Sequence, residues 1–313
     1  MKKLRTVFMG TPDFAVPCLD MLVEEGYPIA AVVTQPDRPK GRGQKLAYSP
    51  VKETALSYNL PVLQPASIKN DNTFEQIAAL KPDIIIVVAF GQLLPKKLLD
   101  LPPYGCINVH ASILPHYRGS APIHWAIING ETATGITTMY MDVGMDTGDM
   151  ILKAEIPILP SDTTGSLHDK LKDVGASVLS DTLQQLADGN APRVSQNSAE
   201  ATYARMLCRD TERINWHQPA IAVHNLVRGL NPWPVAYCKY QNKSLKIWKT
   251  RIYDESAVCS EPGRIIQMTK DGFVVETGKG TVEIQEVQPE SKRRMKASDC
   301  VCGYCLTVGN MLE

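Results

Sequence analysis

Short runs of apolar residues recur along the first half of the chain and predict buried β-strands. The run DIIIVVAF is continuous, which is typical of a strand covered on both faces of its sheet. Another run, GITTMYMD, is rich in β-branched residues, which favour an extended backbone. The strands predicted from these patterns lie at 6–10, 29–34, 83–90, 105–110 and 135–142.

Apolar positions at helical spacing, with turn residues at the ends, predict helices between and after these strands. The predicted helices cover 12–25, 50–58, 121–129 and 161–188, the last as one long helix or two. Strands that alternate with helices favour an α/β fold with a doubly wound, mostly parallel sheet. In such sheets, ligands bind beyond the carboxyl ends of the strands.

The pattern changes in the last third of the chain. Segment 190–204 is polar and without periodicity, as in a linker. Beyond it, segments such as SLKIWKTRIY and TVEIQEV are separated by turn residues, which favours a small antiparallel barrel or sandwich. The 313 residues exceed what one core usually holds. We therefore predict a first domain at 1–189, a linker at 190–204 and a second domain at 205–313.

Charge divides the chain in the same way. The whole sequence is neutral, but residues 1–204 hold 17 basic and 21 acidic side chains, whereas residues 205–313 hold 16 and 12. A basic second half is compatible with a polyanionic partner, and equally with a solvated basic surface.

The cysteines and the hydropathy indicate the compartment. Eight cysteines have no regular spacing, and no apolar segment has the length of a membrane span. These features predict a protein with reduced thiols in the cytoplasm. Cys300, Cys302 and Cys305 look like part of a zinc site, but no second pair stands at a suitable spacing. We predict no metal, and the role of this cluster stays open.

Two polar side chains stand near the end of the strand predicted at 105–110. Asn108 and His110 are two residues apart, so they share one face of the strand. An Asn amide can donate to an oxyanion, and a His can move a proton near neutral pH. The later segment MDVGMDTGDM places Asp142 and Asp146 in a loop interrupted by glycines.

Together, an Asn, a His and an Asp predict acyl transfer in which one substrate attacks the other directly. A carboxylate in the glycine loop could orient His110. Because no Ser or Cys stands in a nucleophile-elbow pattern, the acyl group would pass directly from one substrate to the other. His116 and His124 are nearby alternatives that spacing alone does not exclude. A structural role for the strand-end His, and turn chemistry for the Asp residues, also stay open.

Two further segments stand out. The loop QPDRPKGRGQKLAYSP at 35–50 is long for a strand-to-helix connection and carries four cations, which favours contact with phosphate or nucleic acid. The cations are Arg38, Lys40, Arg42 and Lys45. In LNPWPVAYCKY, Trp233 stands between two prolines. We interpret it as a rigid packing corner rather than as a platform on which bases stack.

Several segments spread along the chain resemble those of a known family. The segments NVHASILP and DVGMDTGD are similar to those of folate-dependent formyltransferases. With GTPDFA, QPDRPKGRG, ATYARML and LNPWPVAY, they resemble the methionyl-tRNA formyltransferase family. The QPDRPKGRG loop and the basic second domain are the features that point to this tRNA-directed member. The resemblance implies a Rossmann-like formyltransferase domain followed by an OB-like β-barrel that binds tRNA. It also implies transfer of a formyl group from 10-formyltetrahydrofolate to the amino group of initiator methionyl-tRNA.

The resemblance further implies roles for individual residues. The catalytic residues would be Asn108, His110 and Asp146. Folate would be bound by Ser112, Ile113, Leu114, Pro115, Phe90, Gly91, Gln92, Leu93 and Asp142. The tRNA would be bound by Arg38, Lys40, Arg42, Lys45, Arg205 and Arg209.

Three other functions remain open from the sequence. The same chemistry could act on another acceptor, such as glycinamide ribonucleotide or an amino-sugar nucleotide. Water could replace the amine, which would make the protein a formyltetrahydrofolate hydrolase. The second domain could also serve a non-enzymatic RNA-binding protein.

Overall fold

A computed structural model describes residues 3–40, 45–304 and 306–313 of the chain. The chain forms two compact units. The first comprises Met1–Gly119, Thr134–Ile156 and His168–Tyr203. The second comprises Ser120–Ala133, Pro157–Leu167 and Ala204–Glu313.

The elements follow one another along the chain as the apolar pattern predicts, with several short additions. The strands are β1 (Thr6–Gly10), β2 (Ile29–Val33), β3 (Arg38–Lys40), β4 (Lys45–Ala47), β5 (Val62–Leu63), β6 (Ile84–Val88), β7 (Cys106–His110), β8 (Arg118–Gly119), β9 (Ala133–Tyr140), β10 (Met150–Pro157), β11 (Tyr203–Ala204), β12 (Tyr237–Tyr240), β13 (Lys243–Asp254), β14 (Ile265–Met268), β15 (Phe273–Glu276), β16 (Thr281–Pro289) and β17 (Met295–Lys296). The α-helices are α1 (Val16–Glu24), α2 (Pro50–Ser57), α3 (Asp71–Ala79), α4 (Lys96–Leu99), α5 (Pro122–Ile128), α6 (Thr164–Ala187), α7 (Arg209–Glu212), α8 (Ala220–Gly229) and α9 (Ala297–Tyr304).

A seven-stranded sheet forms the centre of the first unit, in the order β10-β9-β7-β6-β1-β2-β5. Strands β5, β2, β1, β6 and β7 run parallel, and β9 runs antiparallel to β7. Every residue of β1, β6 and β7 is buried, because helices and loops cover both faces of the sheet. The parallel strands bring their carboxyl ends to one edge, where β7 delivers Asn108 and His110.

The second unit is built on an antiparallel sheet in the order β12-β13-β16-β15-β14, with β17 paired to β16. Its core contains Trp216 and Val227 together with Phe273 and Ile284. The predicted fold class is confirmed: an α/β domain with a mostly parallel sheet precedes an antiparallel, β-rich domain.

Some local predictions are refined. The helix predicted at 161–188 is the single helix α6, and Gly189 follows it with a positive φ of 71°. The loop predicted at 35–50 contains β3 and β4, which pair antiparallel. The compact units assign 120–133 and 157–167 to the second unit and 190–203 to the first. The functional domain boundaries at 189 and 205 stay a prediction.

Two other sequence features have structural counterparts. Six cysteines of the described part are free thiols, and burial raises the pKa of the Cys300 thiol to about 11. Cys305 and the side chain of Cys302 lie outside the described residues. Within the described ranges, no helix is both long enough and apolar enough to cross a bilayer.

Replacing Gly135 tests how tightly β9 is packed next to β7, the strand that carries Asn108 and His110. A Cβ there would lie 2.0 Å from the Ala154 carbonyl oxygen and 2.5 Å from Ile113 Cδ1. Gly135→Ala should therefore lower the free energy of unfolding by about 1–3 kcal/mol in urea titrations. Gly175→Ala, on α6, is the control. Its new Cβ would lie 3.4 Å from Val109 Cγ1, an ordinary contact, so the free energy of unfolding should stay the same or rise. Equal stability of both variants would contradict the packing described.

Candidate active site

The strand end of β7 buries two polar side chains. Asn108 is 8% exposed and His110 is 6% exposed. Between the described residues, the Asn108 amide makes no hydrogen bond, so its N–H groups are available to a bound group. The His110 ring lies with Nε2 3.0 Å from the Tyr117 carbonyl oxygen. A carbonyl only accepts, so Nε2 carries a proton and the neutral ring keeps its lone pair on Nδ1.

The Asp146 carboxylate faces that lone pair. Asp146 Oδ1 lies 3.8 Å from His110 Nδ1, and Asp146 Oδ2 accepts a hydrogen bond from the Gly119 N–H at 2.8 Å. Two acceptors facing each other make no hydrogen bond. The carboxylate therefore stabilises the ring mainly once Nδ1 has taken a proton, which suits an acid–base group that acts at Nδ1.

The loop that carries Asp146 is held by its own main chain. Asp146 has a positive φ of 54°, an uncommon conformation for a residue other than glycine. A Cβ on Gly148 would lie 1.7 Å from the Tyr140 carbonyl oxygen, so only glycine fits there. Gln196 Nε2 donates to the carbonyl oxygens of Asp146 and Gly148, each at 2.8 Å.

The other predicted carboxylate stabilises the same loop. Asp142 is exposed, and its Oδ1 accepts from the Gly144 N–H at 2.9 Å and the Thr147 hydroxyl at 2.6 Å. One oxygen therefore shapes the turn. The predicted contact of Asp142 with folate stays a prediction.

The segment Ser112–Pro115 leads from β7 into a tight turn, in which the His116 N–H donates to the Ile113 carbonyl oxygen at 3.1 Å. The Ser112 hydroxyl donates to the His116 carbonyl oxygen at 2.6 Å, and the Thr137 hydroxyl donates to the Ser112 carbonyl oxygen at 2.7 Å. Lys153 Nζ donates to the Leu114 carbonyl oxygen at 2.6 Å, and burial lowers the pKa of this ammonium. Ser112, Leu114 and Pro115 are buried, whereas Ile113 is half-buried. Any direct ligand contact of this segment falls to Ile113 or to main-chain groups.

The segment Phe90–Leu93 follows β6 at the same edge of the sheet. The Phe90 ring is packed in the hydrophobic core, and its carbonyl oxygen accepts from Thr11 Oγ1 and Gln35 Nε2, both at 3.1 Å. Gly91 has a positive φ of 85°, and the Leu93 side chain is exposed. Gln92 Oε1 accepts from the Ile68 N–H at 2.9 Å. Of the predicted folate wall, Gly91 and Leu93 are exposed, Gln92 is half-buried and Phe90 is buried.

A cavity of about 510 Å³ borders the loop that carries the two aspartates. Its lining includes Tyr104, Met141, Asp142, Val143 and Arg193. Ligand sites typically have volumes in this range. The cavity lining does not include Asn108, His110 or Asp146.

The competing histidines occupy other positions. His116 is exposed, and its carbonyl oxygen holds Ser112. His124 belongs to the second unit, where its Nε2 lies 3.3 Å from the Trp233 carbonyl oxygen. His110 is thus the histidine that the structure brings to Asp146.

The predicted tRNA contacts are placed unequally. Arg38 is exposed, the backbones of Lys40 and Lys45 lie in β3 and β4, and Arg42 lies outside the described residues. Arg205 is exposed, and its Cζ lies 5.3 Å from the centre of the Trp125 ring. Arg209 pairs with Glu212 at 2.6 Å.

The interpretation of Trp233 as a packing corner is wrong. Its side chain is 68% exposed. Pro232 is also exposed, and of the two flanking prolines it is Pro234 that is buried. The indole is therefore accessible to a partner.

One group of possible metal ligands occurs within the described ranges. Single ligand atoms of Asp13, His168 and Asp169 lie within 4.8 Å of one another. Lys172 Nζ donates to Asp169 at 2.8 Å, which already supplies a cation. The prediction that the protein needs no metal stays untested.

Residues Arg118 and Gln196 were missed by the sequence reasoning. Arg118 is buried, and its Nε donates to Gln196 Oε1 at 3.0 Å. Gln196 lies in the segment predicted as a linker, and no pattern in its neighbourhood signals a contact made 50 residues away.

Substitution of Gly148 tests whether its close main-chain contact holds Asp146 in place. Gly148→Ala should push the loop outward and break the hydrogen bond between the Gly119 N–H and Asp146. Amide exchange at Gly119 should then rise about tenfold or more, equivalent to about 1.4 kcal/mol. Gly26→Ala is the control: its φ of 74° makes alanine strained, but nothing lies within 4 Å of the new Cβ. Unchanged exchange at Gly119 in Gly148→Ala would refute this role.

Comparison with known proteins places this site in a family. Residues 3–183 match the model of the Formyl transferase family, and residues 207–305 match that of the Formyl transferase C-terminal domain. A methionyl-tRNA formyltransferase of Acetivibrio thermocellus is 53% identical over 309 residues, covering 99% of each chain. That of Clostridioides difficile is 50% identical over 99% of this chain and 100% of its own.

A solved structure supports the fold. The N-formyltransferase of Helicobacter canadensis in complex with folinic acid and dTDP-3-aminofucose has a TM-score of 0.69, with 20% identity over 90% of this chain and 99% of its own. At that identity the likeness shows the fold alone. The identity over the full length with the curated relatives confirms the family expected from the motifs. The chain belongs to the formyl transferase family, as a relative of the methionyl-tRNA formyltransferases.

Proposed function

We propose that the chain transfers the formyl group of 10-formyltetrahydrofolate to the methionine amino group of initiator methionyl-tRNA. The observation that carries this proposal is the buried His110, whose Nδ1 lone pair faces Asp146 while Nε2 is held by a carbonyl. Asn108 stands on the same face of the strand. Such a set moves protons and binds an oxyanion without forming a bond to substrate, as direct transfer between two substrates requires.

The residues of the chain divide the chemistry between them. The folate supplies an activated formyl group and leaves with a proton on its nitrogen. Asn108 donates an N–H to the formyl oxygen, where negative charge grows as the amine adds to the carbon. His110 Nδ1 takes the proton that the amine loses and returns it to the leaving nitrogen, while Asp146 stabilises the charged ring between the two steps.

The residues near the site fit a folate donor. Leu93, Val143 and the half-buried Ile113 offer apolar surface to a ring, and Asp142 keeps one carboxylate oxygen, Oδ2, for a hydrogen-bond donor. This combination of apolar walls and one fixed acceptor is common in heterocycle sites.

The second unit supports the tRNA acceptor over a nucleotide or a sugar. Residues 205–313, which form most of this unit, hold 16 basic and 12 acidic side chains, and Arg205 has no carboxylate partner among the described residues. The exposed Trp233 offers a π face on which an unpaired base can stack. Cations with a stacking platform are typical of single-stranded nucleic-acid contacts.

Transfer of labelled formyl carbon is the experiment that tests the proposal. The protein is incubated with 10-formyltetrahydrofolate labelled in the formyl group and with charged initiator tRNA, uncharged tRNA, glycinamide ribonucleotide or an amino-sugar nucleotide. Label should appear in charged tRNA alone and should remain on the tRNA after the folate has been removed. Faster transfer to a small acceptor, or release of labelled formate without acceptor, would reject it.

Asn108→Ala tests the oxyanion donor. Loss of one such donor costs about 100- to 1000-fold in kcat, with little change in the KM of the folate. Asn72→Ala, an exposed position on α3 of the same unit, is the matched control and should keep the activity of the parent protein. An unchanged kcat in Asn108→Ala would remove Asn108 from the mechanism.

Arg205→Ala and Arg209→Ala test the tRNA surface. Each phosphate contact contributes about 0.7–0.9 to the slope of log K against log salt. Arg205→Ala should make the slope less steep by that amount. Arg209→Ala should change it less, since Glu212 already neutralises Arg209. The dissociation constant of tRNA, measured over a salt series, checks this. A larger change for Arg209 than for Arg205 would reverse the assignment.

A further inference from the structure

Gln196 connects two parts of the first unit that are distant in sequence. Its Nε2 donates to the carbonyl oxygens of Asp146 and Gly148, each at 2.8 Å, and its Oε1 accepts from Arg118 Nε at 3.0 Å. All three partners require this orientation of the amide. A flipped amide would set Oε1 against two carbonyl oxygens and Nε2 against a donor.

Arg118 fixes the far end of this amide. Its side chain is 2% exposed, and no Asp or Glu among the described residues pairs with it. A buried guanidinium without a carboxylate costs free energy, so a simple stabilising role is a poor explanation for it. Its positive charge polarises the Gln196 amide, which strengthens the two bonds that the amide donates.

The neighbours of Arg118 contact the candidate catalytic residues directly. The Tyr117 carbonyl oxygen holds His110 Nε2 at 3.0 Å, and the Gly119 N–H holds Asp146 Oδ2 at 2.8 Å. Three consecutive residues therefore reach His110, Gln196 and Asp146. The Asp146 carboxylate is fixed from one side by Gly119, and its main chain from the other side by Gln196.

We infer that Gln196, held by Arg118, is a positioning residue for formyl transfer. It keeps Asp146 in its left-handed backbone conformation, so that the carboxylate faces His110 Nδ1. The inference rests on the proposed function, in which Asp146 stabilises the charged His110. Without the two donated bonds the loop relaxes, and the carboxylate moves away from the ring. Gln196 itself touches neither substrate.

Kinetics of the full chain with three single substitutions, at positions 196 and 146, test this inference. The variants are Gln196→Leu, Gln196→Glu and Asp146→Ala, with the double variant Gln196→Leu/Asp146→Ala. A small displacement of a catalytic group can cost about 100-fold in rate, so kcat should fall by that order in Gln196→Leu. Gln196→Glu should fall similarly, because an ionised carboxylate accepts from Arg118 but donates to no carbonyl. Gln184→Leu, at an exposed position of α6, is the control and should retain the parent kcat.

The double variant separates positioning from a general loss of structure. If Gln196 acts through Asp146, the double variant should have the kcat of Asp146→Ala within about twofold, because coupled sites are not additive. Independent losses that multiply would overturn the inference, and so would a parent-like kcat in Gln196→Glu. Should Gln196→Leu not fold, Gln196→Glu/Asp146→Ala gives the same comparison. An unchanged kcat in Asp146→Ala alone would instead defeat the proposed function.

Discussion

The position of the Asp146 carboxylate depends on a close contact between two stretches of main chain. Gly148 lies against the Tyr140 carbonyl so closely that no side chain fits between them. In the same loop Asp146 has a positive φ of 54°, and its carboxylate lies 3.8 Å from His110 at the end of β7. The Gly119 N–H and the Gln196 amide then hold the loop in place. The chemistry assigned to His110 requires this backbone arrangement before any substrate is present.

The strand β7 supplies the other half of the site. It lies inside the sheet between β6 and β9, so every one of its residues is buried. Polar groups are placed there only at the cost of desolvation. His110 satisfies Nε2 with a carbonyl and keeps Nδ1 toward a carboxylate, whereas the Asn108 amide keeps its hydrogen-bonding capacity. A buried amide and imidazole with unused capacity suit a reaction in which charge appears only briefly.

Periodicity was enough to predict most of this fold. Apolar runs predict β1 and β6, because a parallel strand covered on both faces carries few polar residues. The rule that ligands bind at the carboxyl strand ends brought Asn108 and His110 into consideration, and the glycines of the 141–150 segment indicated a loop able to carry Asp146. Local patterns failed where contacts are distant. Gln196 acts on a loop 50 residues earlier, and the two prolines beside Trp233 do not signal that its ring is exposed.

In the mechanism proposed above, Asp146 acts through His110. A double-mutant cycle of His110→Gln and Asp146→Asn, measured as single-turnover formyl transfer to methionyl-tRNA, tests this coupling. A coupling energy of about 1 kcal/mol or more is expected, since the carboxylate has its effect mainly on a charged ring. Losses that add to within about 0.3 kcal/mol would mean that the two side chains work independently, and would rule this mechanism out.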